Sequence, residues 1–366
     1  MRIITTSPHR GIAEGNKNKT ADEASVFRVP IVPNFGAGMI GFLTHYASFM
    51  IGAVARAAVM RLGAWRPDIV WTTSPPLFSG VAGAIVARLF AAPHVLDIRD
   101  LWPDAAVAVG ELNHGGRAFS IGKALEAWCY RHSAALTCTS TAQQTALLER
   151  SGKRATLVYN GVPAHMITDS LVRSPARRIA YAGNIGLAQG IEHLVRAVAQ
   201  VYPVLVDHGW TVEIVGRGGR QHAVEDLITA LNLDAIVQIH KPMPKQDVME
   251  WLAGSAILFL NLVDGETFAS AIPSKIFDYL AVKRPILAGV AGEAREILER
   301  TGANHCVAPG SVDGIAAGLV HMIESYSECN ARVAANAELA RSQFTREAAV
   351  DELEQALTNV ITRIKG

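Results

Sequence analysis

The feature that most constrains this chain is an alternation. Short apolar runs of strand length are followed by loops rich in glycine, proline and serine, then by stretches with helical spacing. In the first half such runs stand at residues 1–6, near Ser25–Ile31, and at Ile69–Trp71, His94–Ile98, Ala135–Cys138 and Thr156–Tyr159. Helices are expected from the T-S-P-P-L-F-S-G segment to about Phe90, over Leu125–His132 and over Ala142–Arg150. The second half repeats the pattern with runs at Ile179–Ala182, Thr211–Val215, Ile236–Ile239, Ala256–Leu260, Pro285–Leu287 and His305–Ala308. Between these lie helical stretches at Ile191–Val206 and Lys245–Trp251, one opening at Pro273, and one near Glu293–Arg300. Alternation sustained over this length predicts an α/β protein with parallel sheets covered by helices.

A chain of 366 residues calls for about two domains. The expected division is a first domain over 1–163, a linker over 164–177 marked by Pro175, and a second domain over 178–343. A final helix over 344–366 is expected to pack back on the first domain. Two doubly wound domains in tandem would leave a cleft between facing carboxyl strand ends, where ligands bind in such folds.

Hydrophobic residues make up 50% and charged residues 18%, which excludes a disordered chain. The net charge of +1 is unevenly spread: residues 1–163 carry 16 Lys+Arg against 10 Asp+Glu, and residues 164–366 carry 18 against 23. A basic first half suits an anionic partner such as a lipid surface or a phosphorylated acceptor; chance scatter of surface charge is the alternative. No basic cluster with interleaved aromatics points to nucleic acid. Cys129, Cys138, Cys306 and Cys329 lack C-x-x-C spacing and read as buried thiols of a reducing compartment. The start M-R-I-I-T-T-S-P has no signal-peptide core, so a cytoplasmic location is expected. No formal charge occurs from Val29 to Ala55, but Pro30, Pro33, Asn34 and His45 argue against a membrane span. Met39, Phe42, Leu43, Tyr46, Phe49 and Met50 recur at helical spacing ahead of Arg56 and Arg61. Residues 38–61 thus form either a core helix or one lying at a membrane interface.

Chemistry concentrates in residues 266–288, where Ser274, Lys275 and Asp278 follow Pro273. Proline suits a first helical position, and open first-turn amides beside an ammonium suit a phosphate. Asp278 falls one turn in, on the face of Ser274, where a carboxylate can accept from a sugar diol. The plain alternative is a capped helix with Lys275 and Asp278 in solvent.

With this layout, six strings in order carry a family resemblance: T-S-P-P-L-F-S-G (73–80), R-D-L-W-P-D (99–104), V-Y-N-G-V (158–162), Y-A-G-N-I-G (181–186), V-G-R-G-G-R (215–220) and I-P-S-K-I-F-D-Y-L-A (272–281). The chain resembles the retaining nucleotide-sugar glycosyltransferases of the GT-B fold, family 4 (group 1). The likeness is to the bacterial branch that builds O-antigen and exopolysaccharide repeat units, such as the N-acetylfucosamine transferases. It implies two Rossmann-like domains, a nucleotide-diphosphate sugar as donor substrate and no further cofactor. It also implies a glycan acceptor, lipid-linked in this branch, with the enzyme in the cytoplasm or peripheral at the inner membrane face.

By that resemblance the second domain holds the donor. Gly183, Asn184 and Gly186 would form the glycine loop at the pyrophosphate, and Gly216, Arg217 and Gly218 would line the nucleotide pocket. Lys241 would lie by the base; Pro273, Ser274 and Lys275 would hold phosphate and sugar, and Asp278 the ribose hydroxyls. In the first domain Asp100 would orient or deprotonate the acceptor hydroxyl and Arg99 would bind a phosphate, unless the two simply pair to tie their loop. Trp102 and Pro103 would shape the acceptor site or belong to the core. The likeness implies catalysis without a protein nucleophile, and no D-x-D, H-E-x-x-H or Cys/His cluster asks for a metal.

Several positions depart from the family. Asp278 replaces a longer glutamate, Ser270 stands where the partner glutamate is usual, and Asn184 and Gln189 replace the usual Arg and Lys. The chain is also expected to lack the family's first strand, glycine-rich loop and helix; the rival reading makes residues 1–6 the first strand. Two other functions fit the same fold: a non-catalytic relative that binds nucleotide or assists assembly, and a nucleotide-sugar epimerase.

Overall fold

The computed structural model describes residues 1–6, 25–32, 39–167 and 174–365. Pro33, Asn34 and the middle of the expected linker lie outside them. The chain divides into two compact units. One comprises Met1–Thr139, Gln143–Leu157 and Leu353–Gly366; the other comprises Ser140–Ala142 and Val158–Glu352.

In the first unit β1 (Arg2–Thr6) and β2 (Ser25–Val29) pair in parallel as a two-stranded sheet. A second, four-stranded sheet runs β3-β4-β5-β6, from β3 (Val70–Ser74) through β4 (His94–Ile98) and β5 (Ala135–Cys138) to the short β6 (Thr156–Leu157). All its pairs are parallel. Every residue of β4 is buried, as expected for a strand with neighbours on both edges and helices on its faces. Helix α1 (Met39–Arg61) packs against α2 (Leu77–Phe90), and their Ala57, Met60 and Phe90 form a small core that Ile4 and Phe27 join. Among the described residues no helix is long and apolar enough to cross a membrane.

The second unit holds one six-stranded parallel sheet in the order β12-β11-β10-β7-β8-β9. Its strands are β7 (Ala176–Asn184), β8 (Thr211–Arg217), β9 (Val237–His240), β10 (Ser255–Asn261), β11 (Ile286–Gly289) and β12 (His305–Val307). The connections run to one side from β7 and to the other from β10, so the switch point lies between these two strands. Two large apolar clusters cover the two faces.

Some boundaries differ from the sequence reading. The helix expected over Ile191–Val206 is two, Ile191–Gln200 and Tyr202–Asp207, because Pro203 has no N–H to continue the ladder and starts a new first turn instead. The helix expected from Leu125 begins at Arg117. Cys129 and Cys138 are buried, but Cys306 and Cys329 are only partly so.

Candidate active site

The carboxyl ends of β7 and β8 and the segments after β9 and β10 border an open cavity of about 660 Å³ in the second unit. Its walls include Gly183, Asn184, Gly216, Arg217, Pro273, Ser274, Lys275 and Asp278, so eight of the expected donor-site residues meet there. Gly186, Gly218 and Lys241 do not line it. A Cβ on Gly186 would lie 2.5 Å from the Asn184 amide nitrogen, so that glycine supports the wall from behind. Gly218 packs against the Ile185 carbonyl, and Lys241 is exposed beside the wall residues Pro242 and Met243.

Two glycines are required by geometry. Gly183 and Gly216 have φ of +149° and +159°, a region that side chains rarely adopt. A Cβ on Gly216 would also overlap the Gly183 carbonyl oxygen, because β7 and β8 close on each other at Gly183 and Gly216. A Cβ on Gly183 would lie 2.7 Å from the Lys275 ammonium.

Lys275 points into this wall rather than into open solvent. Its Nζ lies 3.9 Å from the centre of the Tyr181 ring and donates to the Tyr181 hydroxyl (2.6 Å). That hydroxyl in turn donates to the Asn184 carbonyl (2.6 Å), which ties the ammonium to the end of β7. Burial pulls the Lys275 pKa down to about 7, against the opposing pull of the Asp278 carboxylate. Tyr279 fixes the same corner from below, its hydroxyl accepting from the Ala182 amide (2.9 Å).

The helix after β10 differs from expectation. It runs Lys275–Ala281 with Ser274 at the cap position, so Pro273 precedes the cap instead of occupying the first helical position. The Ile276 and Phe277 amides, expected to be open, donate to the Pro273 (3.0 Å) and Ser274 (3.3 Å) carbonyls. An anion here would therefore rest on side chains more than on that first turn. Asp278 is not free in solvent either: it forms an ion pair with Lys245. Lys245, which lines the cavity from the helix Lys245–Ala253, and Tyr181, which holds Lys275 from behind, are residues that the sequence reading missed. The sequence reading placed Lys245 at the start of a helical stretch, but no spacing along the chain pairs it with Asp278.

In the first unit Arg99 and Asp100 follow β4. Arg99 Nε donates to Asp97 (2.6 Å), and buried Asp97 also accepts from the Thr137 hydroxyl (2.6 Å). Arg99 is thus tied to a carboxylate of β4. The surrounding protein pushes the Asp100 pKa up, while Arg99 pulls it down. Trp102 and Pro103 pack on Gly122, where a Cβ would come within 3.0 Å of the Trp102 ring and 3.1 Å of Pro103.

Glycine-lined strand ends, a half-buried ammonium and a carboxylate meet near the switch point of a parallel sheet, where ligands bind in doubly wound folds. The whole chain has the GT-B fold of solved glycosyltransferases. One is HepE of Anabaena, solved with UDP and glucose: TM-score 0.67, 19% identity, 92% of this chain and 86% of that one. Another is sucrose-phosphate synthase of Thermosynechococcus elongatus: TM-score 0.76, 14% identity, 99% of this chain and 89% of that one. Residues 1–161 match the family profile described as Glycosyl transferase 4-like domain, and residues 176–325 match Glycosyl transferases group 1. The chain belongs to the group 1 glycosyltransferases. WcaI of Escherichia coli (strain K12), a glycosyl transferase assigned by name to colanic acid biosynthesis, is 23% identical over 345 residues, 87% of this chain and 83% of that protein.

Proposed function

We propose that this glycosyltransferase moves a hexosyl or N-acetylhexosaminyl group from a nucleoside-diphosphate sugar to a lipid-linked glycan, with retention and without a metal, during surface polysaccharide synthesis. The observation that carries the reading is Lys275, half-buried between Tyr181 and Gly183 at the wall of the cavity. An ammonium desolvated in this way gains by meeting a diphosphate, which favours its charged form. HepE was solved with UDP and glucose, which supports a nucleotide sugar as donor. The name of WcaI supports an exopolysaccharide as product.

In this reading the missing side chains of Gly183 and Gly216 let backbone approach the pyrophosphate, and Lys275 and Arg217 neutralise it. Asp278 accepts from the ribose hydroxyls once Lys245 yields it. Retaining transfer then needs no protein nucleophile. The leaving diphosphate takes the acceptor proton on the face that the sugar leaves, through an oxocarbenium-like transition state. The protein positions the reactants and stabilises charge on the departing phosphate. Asp100 orients the acceptor hydroxyl, and Arg99 supplies a further phosphate contact.

Calorimetry with nucleoside diphosphates, followed by donor-turnover assays with and without lipid-linked acceptors, tests this. Binding with acceptor-dependent loss of donor is the expected result. Binding without turnover would replace it with a non-catalytic role, and release of free epimerised sugar with an epimerase. Absence of any nucleotide binding would overturn the donor site itself.

A further inference from the structure

One buried side chain ties the loop after β7 from behind. Asn261 is the last residue of β10 and has no exposed surface. A buried amide must find partners for its oxygen and its nitrogen, or it costs stability. Asn261 finds both off its own strand. Its Nδ2 donates to the Gln189 carbonyl (3.0 Å), in the loop after β7. Its Oδ1 accepts from the Gly310 amide (3.1 Å), in the segment after β12. A carbonyl can only accept and a backbone amide only donate, so these partners fix the orientation of the side chain. Gly289, which ends β11, makes the room: a Cβ there would lie 2.1 Å from Asn261 Oδ1.

The tie bears on the cavity. Gln189 ends the short turn Leu187–Gln189, and the Val263 amide donates to the Ala188 carbonyl beside it (2.9 Å). Gln189 and Asn184 both line the cavity, and Asn184 Nδ2 donates to Gln189 Oε1 (3.3 Å). A chain of contacts thus runs from the buried end of β10 to two amides at the wall. Residues 183–190 carry no charged side chain. An ammonium on a long flexible stem can follow a phosphate, whereas an amide is a dipole that serves only when it is aimed. A loop of this composition has to be set before its ligand arrives.

We propose that Asn261 is a positioning residue of the donor site. By holding the Gln189 carbonyl and the Gly310 amide together, it presets the turn so that the side chains of Gln189 and Asn184 meet the diphosphate. An amide nitrogen carries two hydrogens, so the pair keeps donors for a phosphate while its members are bonded to each other. Asn261 itself does not line the cavity and acts through Gln189. The inference rests on the reading of this cavity as the site of a nucleoside diphosphate.

The test is calorimetry of the full chain with UDP, GDP and dTDP, continued with the tightest binder and its parent nucleoside. Asn261→Leu keeps most of the side-chain bulk and removes both hydrogen bonds. It should weaken the diphosphate about tenfold and leave the nucleoside within about twofold. Gln189→Leu, with Asn261 intact, should give a loss of similar size. In the Gln189→Leu background, Asn261→Leu should cost less than about twofold more, because both act through one amide. Thermal unfolding shows whether each variant is folded; a purely structural Asn261 would lower the unfolding temperature and leave affinity unchanged. Should Asn261→Leu not fold, Gln189→Leu decides: the tenfold loss upholds the route from Asn261 to the phosphate, and unchanged affinity breaks it. Full affinity in folded Asn261→Leu, an equal loss with the nucleoside, or additive losses would overturn the inference while the donor reading stands. A wild type that binds none of the diphosphates would overturn the donor reading, and the inference with it.

Discussion

The two units handle apolar surface in opposite ways. The second turns it inward: one continuous sheet, all seven residues of β10 buried, and large clusters on both faces. The first divides its strands between two sheets and leaves apolar residues of α1 and α2 in solvent. A saturated interior gives the second unit rigid strand ends, and those ends can desolvate an ammonium and hold two glycines in unusual conformations. Substitutions should therefore be costly at the strand ends of one unit and nearly silent on the outer helix face of the other.

The largest expected effect tests the first half of that contrast. Gly216→Ala places a methyl group against the Gly183 carbonyl at a φ of +159° and should destabilise the fold by about 3 kcal/mol, measured by urea unfolding. A loss below about 0.5 kcal/mol would mean that the strand ends yield easily. Next, Lys275→Ala should reduce donor turnover about a hundredfold, roughly 3 kcal/mol of transition-state stabilisation. Unchanged turnover would remove Lys275 from the mechanism.

The pH dependence sharpens this point. With its pKa near 7, the ammonium of Lys275 is largely protonated below that pH and largely neutral above it. A diphosphate favours the charged form, so nucleotide affinity should be full below about pH 7 and weaken as pH rises, by up to about tenfold per unit. Calorimetry in buffers of different ionisation enthalpy should show proton uptake above pH 7, and Lys275→Met should abolish the slope. Asp278→Asn should weaken nucleoside binding by about 1.5–3 kcal/mol, the range for hydrogen bonds to a charged group. An effect no greater than that of Lys245→Met would reduce Asp278 to an ion-pair partner. Smallest of all, Val59→Glu on the outer face of α1 should change folding stability by less than about 0.5 kcal/mol.

Much of the second unit was legible in the sequence because its strands carry short apolar runs, and the first two of them close at glycines, Gly183 and Gly216. Strand identity follows from such runs, and parallel pairing from their spacing. The Tyr181–Lys275 and Lys245–Asp278 contacts were not legible, since each joins side chains brought together only when the sheet forms. Asp97 escaped notice for the same reason: a carboxylate within an apolar strand is read as part of the strand until its partner is seen. Pro203 was visible but given too little weight against the surrounding apolar periodicity. The exposure of Ile51 and Val59 on α1 could not be read at all, because a helix apolar on most sides does not declare which side faces out.

One consequence of the Gly183–Lys275 approach reaches beyond either residue. A cation held where a neighbour has no β-carbon depends on that neighbour remaining bare. The two positions are thus a single unit of design, although they come from distant parts of the chain. Redesign of the charge without regard to the glycine, or of the glycine without the charge, would change both, and the losses from altering the pair should sum to less than their separate effects.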